Sequence, residues 1–227
     1  MKIQNPLKYY TDKLKNGEKF SLARYGDGEL LCMWGKSGGN SNGCAYTPEL
    51  RQALLDSMEP REGFIHGLQR VLPRDEENAT RDWPVQWHDT EVFSEAAAEA
   101  TKSQLVRNYR YDNIPDGDFK DFVREMYNLP VTIIGNYSIR GATKGIFPHR
   151  WFIEVSPTNA YVDKDKVIRN ILWEDRFATE PKIYLFSCGM AANAFISELH
   201  GRVNGWLIDV GHIWDPFAGS KSRCDLQ

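Results

Sequence analysis

Two carboxylates separated by a single glycine, Asp27 and Glu29, stand in the run Arg24-Tyr25-Gly26-Asp27-Gly28-Glu29. Acids this close repel each other unless a cation lies between them. Hard oxygen donors suit Mg²⁺ or Mn²⁺, ions that also bridge phosphate oxygens. Gly26 and Gly28 let the backbone turn and approach a ligand closely, and Arg24 can add a bidentate phosphate contact. The competing reading is a polar turn, with Asp27 as a helix N-cap and Glu29 favoured by the helix dipole.

Three further segments could carry chemistry. Ser187-Cys188-Gly189-Met190-Ala191-Ala192-Asn193 places small residues between an apolar run and a helix. Free N–H groups at such a helix start form a phosphate site, although the run is not a G-x-G-x-x-G fingerprint and implies no dinucleotide. Tight packing would demand the same small residues. In Asp209-Val210-Gly211-His212-Ile213-Trp214-Asp215 an acid precedes a histidine by three positions, which reads as an acid/base pair, as a phosphate-contacting His, or as a satisfied structural histidine. The segment from Asn136 to Trp151 holds Arg140, Lys144, His149 and Arg150 without an acid, among the rings of Tyr137, Phe147 and Trp151. It suits an anionic or stacking acceptor; the alternative is a solvated loop with its rings in the core.

These turns need a scaffold, and the apolar spacing supplies one. Leu7, Tyr10 and Leu14 share a helical face ended by Gly17. Phe20 to Tyr25 reads as a strand, Gly38 to Gly43 as a flexible loop, Pro48 to Met58 as a helix with proline in its first turn, and Gly63 to Gly67 as a short strand. Residues 73–90, polar and rich in Pro and Trp, read as a long ordered loop. Helices are predicted from Thr90 to Ala100 and from Asp118 to Tyr127. Val131 to Gly135 is a buried strand and Trp151 to Val155 another. Asp163 to Phe177 is a helix, Lys182 to Phe186 a strand, Gly189 to Leu199 a helix and Trp206 to Val210 a strand. Strands separated by helices imply crossover connections: an α/β, Rossmann-like, mostly parallel sheet flanked by helices. Ligands of such sheets sit beyond the carboxyl ends of the strands, where the turns at Gly26–Glu29, Ser187–Ala191 and Gly211–Asp215 fall.

The 227 residues suit a single domain, 1–227. With 28 basic and 31 acidic residues the formal net charge is −3, so no general attraction to nucleic acid or membranes is expected. Cys32, Cys44, Cys188 and Cys224 form no zinc template. The N-terminus lacks the apolar stretch of a signal peptide and no run is long enough to span a bilayer, so the expectation is a cytoplasmic chain without membrane insertion.

Taken in order, the segments resemble the GT-D-type glycosyltransferases, a bacterial family first known as a domain of unknown function. That family's R-[FY]-G-D-G-E turn is matched by Arg24 to Glu29. Its E-V-P-x-x-N-A-[FY] segment is matched by Glu154-Val155-Ser156-Pro157-Thr158-Asn159-Ala160-Tyr161, and its [LI]-D-[IV]-G-H by Ile208 to His212. The match runs from residue 18 to residue 215. The small-residue turn, Cys188-Gly189-Met190-Ala191, and the run after His212 depart from the family pattern. The resemblance implies a Rossmann-like fold and a nucleotide-sugar donor, commonly UDP-linked. It implies a divalent metal, Mn²⁺ or Mg²⁺, held through Asp27 and Glu29, and a hexosyl- or pentosyltransferase activity. On this reading Asp27, Glu29, Asp209 and His212 are catalytic, while Arg24, Gly26, Gly28, Asn159, Ser187, Gly189, Met190 and Ala191 bind the donor. The acceptor hydroxyl is that of a glycan or glycoprotein, or of a hydroxylated nucleobase in DNA. A metal-dependent nucleotide phosphohydrolase and a non-catalytic nucleotide-binding domain are the alternatives.

Overall fold

Asn5 accepts the Lys8 N–H and Pro6 takes the first helical position, so the chain enters helix α1 (Pro6–Lys15) with its first turn capped. A mostly buried run of Ser, Leu, Ala and Tyr around Arg24 makes strand β1 (Ser21–Tyr25). Gly26 is the N-cap of α2 (Asp27–Met33). Thr47 caps α3 (Pro48–Asp56), again with proline at the first turn. Strand β2 (Phe64–Leu68) and the two-residue β3 (Gln86–Trp87) follow. Then come α4 (Asp118–Tyr127), β4 (Val131–Gly135), a 3₁₀ turn (Tyr137–Ile139), α5 (Arg140–Ile146) and β5 (Trp151–Glu154). A second 3₁₀ turn (Ala160–Asp163) leads to α6 (Lys164–Arg176), β6 (Lys182–Ser187), α7 (Ala191–Leu199), β7 (Gly205–Asp209) and the short α8 (Asp215–Ala218). The structure, a computed structural model, describes residues 5–39, 44–68, 86–87, 114, 116–127, 129–147 and 151–218.

Among the described residues seven strands form one sheet in the order β3-β2-β1-β7-β6-β4-β5, and every pairing among them is parallel. Helices cover both faces. Leu30 and Met33 of α2, Leu50 and Leu54 of α3, Val167 and Ile171 of α6 and Phe195 and Leu199 of α7 bury against Ala23, Tyr25, Tyr184 and Phe186. On the other face Leu7 and Tyr10 of α1, Phe119 and Phe122 of α4, Ile146 of α5 and Phe217 of α8 pack on Leu22, Ile133, Leu185 and Ile208. The alternation of strand side chains between these clusters is the period of two that a sheet with both faces covered requires.

Several expectations shift. The basic segment after β4 is a 3₁₀ turn and a helix, not a loop: Asn136 accepts the Ser138 N–H, and Thr143 returns its hydroxyl to the Ile139 carbonyl. α7 starts at Ala191, two residues later than the spacing suggested, because Gly189 takes a φ of 60° that turns the chain before the helix begins. Within the span read as a loop, residues 73–90, the described pair Gln86–Trp87 is a strand on β2; the rest of that span, the helix expected at Thr90–Ala100, and His149, Arg150 and Cys224 lie outside the described residues. Of the loop at 38–43, Gly39 forms an antiparallel bridge with Ala45, and residues 40–43 are likewise outside. No helix among the described residues is long and apolar enough to cross a membrane.

Candidate active site

The chain leaves β4 toward one face of the sheet, through α5, and leaves the neighbouring β6 toward the other, through α7. Divergent connections between adjacent parallel strands open a crevice beyond their carboxyl ends. A cleft lies there, walled by Asn136 after β4, Val155 and Ser156 after β5, Ser187 to Gly189 after β6, and Gly211 and His212 after β7. Two of the three turns singled out in the sequence meet in it. The third, at the end of β1, sits beyond β7, two strand spacings from β6, roughly 10 Å.

Side chains staple these turns together. The buried Asn193 of α7 accepts the Arg24 N–H at 3.1 Å and donates its amide to the Arg24 carbonyl at 2.7 Å. A carboxamide here completes the backbone pairing of β1's end and locks it to the first turn of α7. The Ser187 hydroxyl donates to the Gly211 carbonyl, and Asp209 accepts the Gly211 N–H at 2.9 Å. Gly211 has a φ of 55°, and a Cβ on it would meet the Arg24 guanidinium at 2.5 Å, so the guanidinium lies directly on this turn.

The paired acids adopt different roles from each other. Glu29 turns back to accept the Gly26 N–H at 2.9 Å, half of a capping box. Gly26, not Asp27, is therefore the N-cap. Asp27 is exposed and accepts the Gly28 N–H. Burial pushes the Glu29 carboxyl up to about 7, opposed by its backbone N–H partners and assisted by the charge of Asp209. Asp209 is also raised by burial, with Arg24, the Gly211 N–H and His212 pulling the other way. Arg24, Glu29 and Asp209 thus form one electrostatic cluster under the carboxyl edge. Among the described residues no three metal-ligating side chains gather.

His212 does not hydrogen-bond Asp209. Its Nδ1 lies 3.0 Å from Asp215 Oδ2, which orients the ring at the mouth of the cleft. The H-x-x-D spacing was the signal for this partner, and Asp215 joins the site residues for that reason. Met190 and Ala191 are fully buried, so only their backbone can serve a ligand. The Asn159 carboxamide accepts the Cys44 thiol at 3.4 Å, while the Asn159 N–H donates to Ser156. Asn159 therefore braces the loop that carries Ser156 into the cleft. Burial holds the Cys188 thiol well above its ordinary range. In the basic segment Phe147 is core and Tyr137 and Trp151 are exposed, while Arg140 lies 5.6 Å from the centre of the Phe152 ring. Asn136, Ser156 and Pro157, which wall the cleft, were not singled out in the sequence as cleft residues.

No protein-family model matches the chain, and no curated protein matches it in sequence. Solved structures do. A structure of the highly conserved domain of unknown function 1792, described as having a distinct glycosyltransferase fold, superposes with a TM-score of 0.62 at 16% identity, over 93% of this chain and 78% of that one. A glycosyltransferase of Streptococcus sanguinis carrying the same domain superposes with a TM-score of 0.64 at 18% identity, over 98% of this chain and 86% of that one. The likeness establishes the α/β, Rossmann-like architecture.

Proposed function

We propose that this chain is a glycosyltransferase that moves a sugar from a nucleotide-sugar donor, UDP-linked, to an acceptor hydroxyl. The observation that carries the reading is the convergence of the Gly189, Gly211 and Asn136 turns on the crevice between β4 and β6, two strand spacings from the Asp27–Glu29 turn. Fold similarity to proteins described as glycosyltransferases supports it. A nucleotide diphosphate sugar is long enough to reach from one to the other. Backbone N–H groups at the start of α7 and the Arg24 guanidinium would contact its phosphates.

Asp27 is the outward carboxylate that would hold a divalent ion, with Glu29 joining it only if it left its bond to the Gly26 N–H. Such an ion would supply charge neutralisation for the departing diphosphate. His212, oriented by Asp215 at the mouth of the cleft, is the group assigned to accept the proton of the attacking hydroxyl. Asp209 holds the Gly211 turn and balances Arg24.

Incubation with UDP-sugars and Mn²⁺, with and without acceptor, tests the reading. Glycosyl transfer gives free UDP that rises with acceptor. Release of UMP from the donor assigns a phosphohydrolase instead, and tight UDP binding without turnover assigns a binding domain.

A further inference from the structure

Helix α6 carries two stripes. Val167, Ile168 and Ile171 bury in the core. Lys166, Asn170, Trp173 and Phe177, spaced four, three and four apart, form a second stripe on one side of the helix. This stripe borders β5, which ends the sheet. Trp151 on β5 is 64% exposed, Trp173 62% and Phe177 63%. Trp173 and Phe177 meet edge to face, with centroids 5.0 Å apart. An open groove of about 580 Å³ runs between helix and strand, within the size range of small-ligand sites.

The groove's polar groups are balanced. It holds two carboxylates, Glu154 and Glu174, and two ammonium groups, Lys166 and Lys182. Lys166 donates to the Glu154 carbonyl at 2.8 Å, and Lys182 lies 4.0 Å from the Glu174 carboxylate. Such a wall favours neither a cation nor a polyanion. Exposed ring faces attract apolar ligand faces, and the Asn170 carboxamide both donates and accepts hydrogen bonds. Flat rings beside mixed donors and acceptors match a sugar ring, which has C–H faces and a hydroxyl rim.

We infer that this groove binds a neutral oligosaccharide, the acceptor chain of the transfer. The inference rests on the glycosyltransferase reading for the acceptor role, but not for binding itself. Glu154 at the groove's upper end is followed directly by Val155 and Ser156, which wall the cleft. A ligand along α6 therefore ends at the reacting site. From Lys166 to Phe177 the stripe extends about 16 Å at 1.5 Å per residue, which suits several sugar rings in a row. The balanced charge argues against DNA as the occupant.

Titration of the full chain with maltohexaose and with a β-1,4-linked N-acetylglucosamine tetramer, followed by tryptophan fluorescence, tests this. A saturable change with at least one probe is expected. Trp173→Ala and Trp151→Ala should each weaken it about tenfold, Trp173→Phe should restore most of it, and UDP binding and slow donor hydrolysis should stay at wild-type levels. No saturable response to either probe, or a response kept by the double alanine variant, overturns the inference. A dimer in sedimentation that the alanine variants turn into monomer gives the groove to a second copy and equally overturns it. Saturable oligosaccharide binding without any donor turnover would sink the glycosyltransferase reading and leave the binding site standing.

Discussion

Two regions with buried polar groups treat them in different ways. Beneath β1 and β2, Tyr25 shares its hydroxyl with Ser57 Oγ at 2.7 Å, His66 Nε2 lies 3.0 Å from the Ser57 carbonyl, and His200 Nδ1 lies 2.8 Å from the Ser21 hydroxyl. The named side chains are neutral and hydrogen-bonded, with the Arg61 guanidinium a charge that acts on Tyr25 and on both histidines. At the carboxyl edge, Arg24, Glu29 and Asp209 crowd charges under a surface that faces solvent. Neutral satisfied groups rigidify a fold. Partly compensated charges at a cleft keep interaction energy available for a ligand. The pH dependence should divide along the same line. Burial lowers both histidines from 6.5, so the fold holds them neutral. Their contribution is complete above 6.5 and is lost as pH falls through the lowered values. Glu29 is raised from 4.5 to about 7, so its contribution is complete below 4.5 and is lost as pH rises through 7.

The sharpest break in this contrast should come from the acids. Asp27→Ala should lower Mn²⁺-dependent transfer by roughly 10²-fold or more while barely moving the melting temperature, because the side chain is exposed; Glu29→Gln, which keeps an acceptor for Gly26, should do the same. Transfer rates near wild type in either variant would remove the turn from the site. Asn193→Ala stands between the two regions. It leaves the N–H and carbonyl of Arg24 without their carboxamide, costing about 2 kcal/mol in urea unfolding, and it should also lower transfer, since β1's end loses its tie to α7. A stability loss with unchanged kcat/KM would make the clamp purely structural.

Ser57→Ala probes the neutral network alone. It should cost about 1–2 kcal/mol of stability and leave kcat/KM unchanged, and any selective effect on catalysis would blur the contrast. The smallest effect should be the slope of stability with pH. His66→Gln with His200→Gln should flatten the fall in melting temperature below pH 6.5, and Mn²⁺ should raise the melting temperature most above pH 7, where Glu29 is charged. A wild-type curve flat on the acid side would show that the histidines titrate as they do in the unfolded chain.

Much of the scaffold is legible in the sequence. The periods of Leu7-Tyr10-Leu14 and of the Val131–Gly135 run, and the glycines at 26, 28, 189 and 211, mark helices, strands and turns through local chemistry alone. The crevice is not legible in the same way. It depends on β4 lying between β6 and β5, a non-local arrangement with no trace in the spacing around Asn136 or Ser156. The helix at Arg140–Ile146 was hidden by two glycines and by a charge pattern that resembles a loop. The turn at Asp27 and Glu29 admits both a carboxylate pair around a cation and a helix start. The structure realises the helix start, with Glu29 in the cap, and leaves Asp27 as the outward carboxylate.

The strand order also governs when the site comes into being. β1 reaches its neighbour β7 only across some 185 residues of chain, with Ser21 beside Leu207 and Leu22 beside Ile208. Loop closure of that length is slow to nucleate, and during synthesis β1 must wait for nearly all the other strands before this seam can close. Arg24 stands on one side of the seam and Asp209 on the other. A nascent chain can therefore bury much of its core while remaining unable to engage a donor, and the onset of nucleotide binding during refolding should mark the docking of β7.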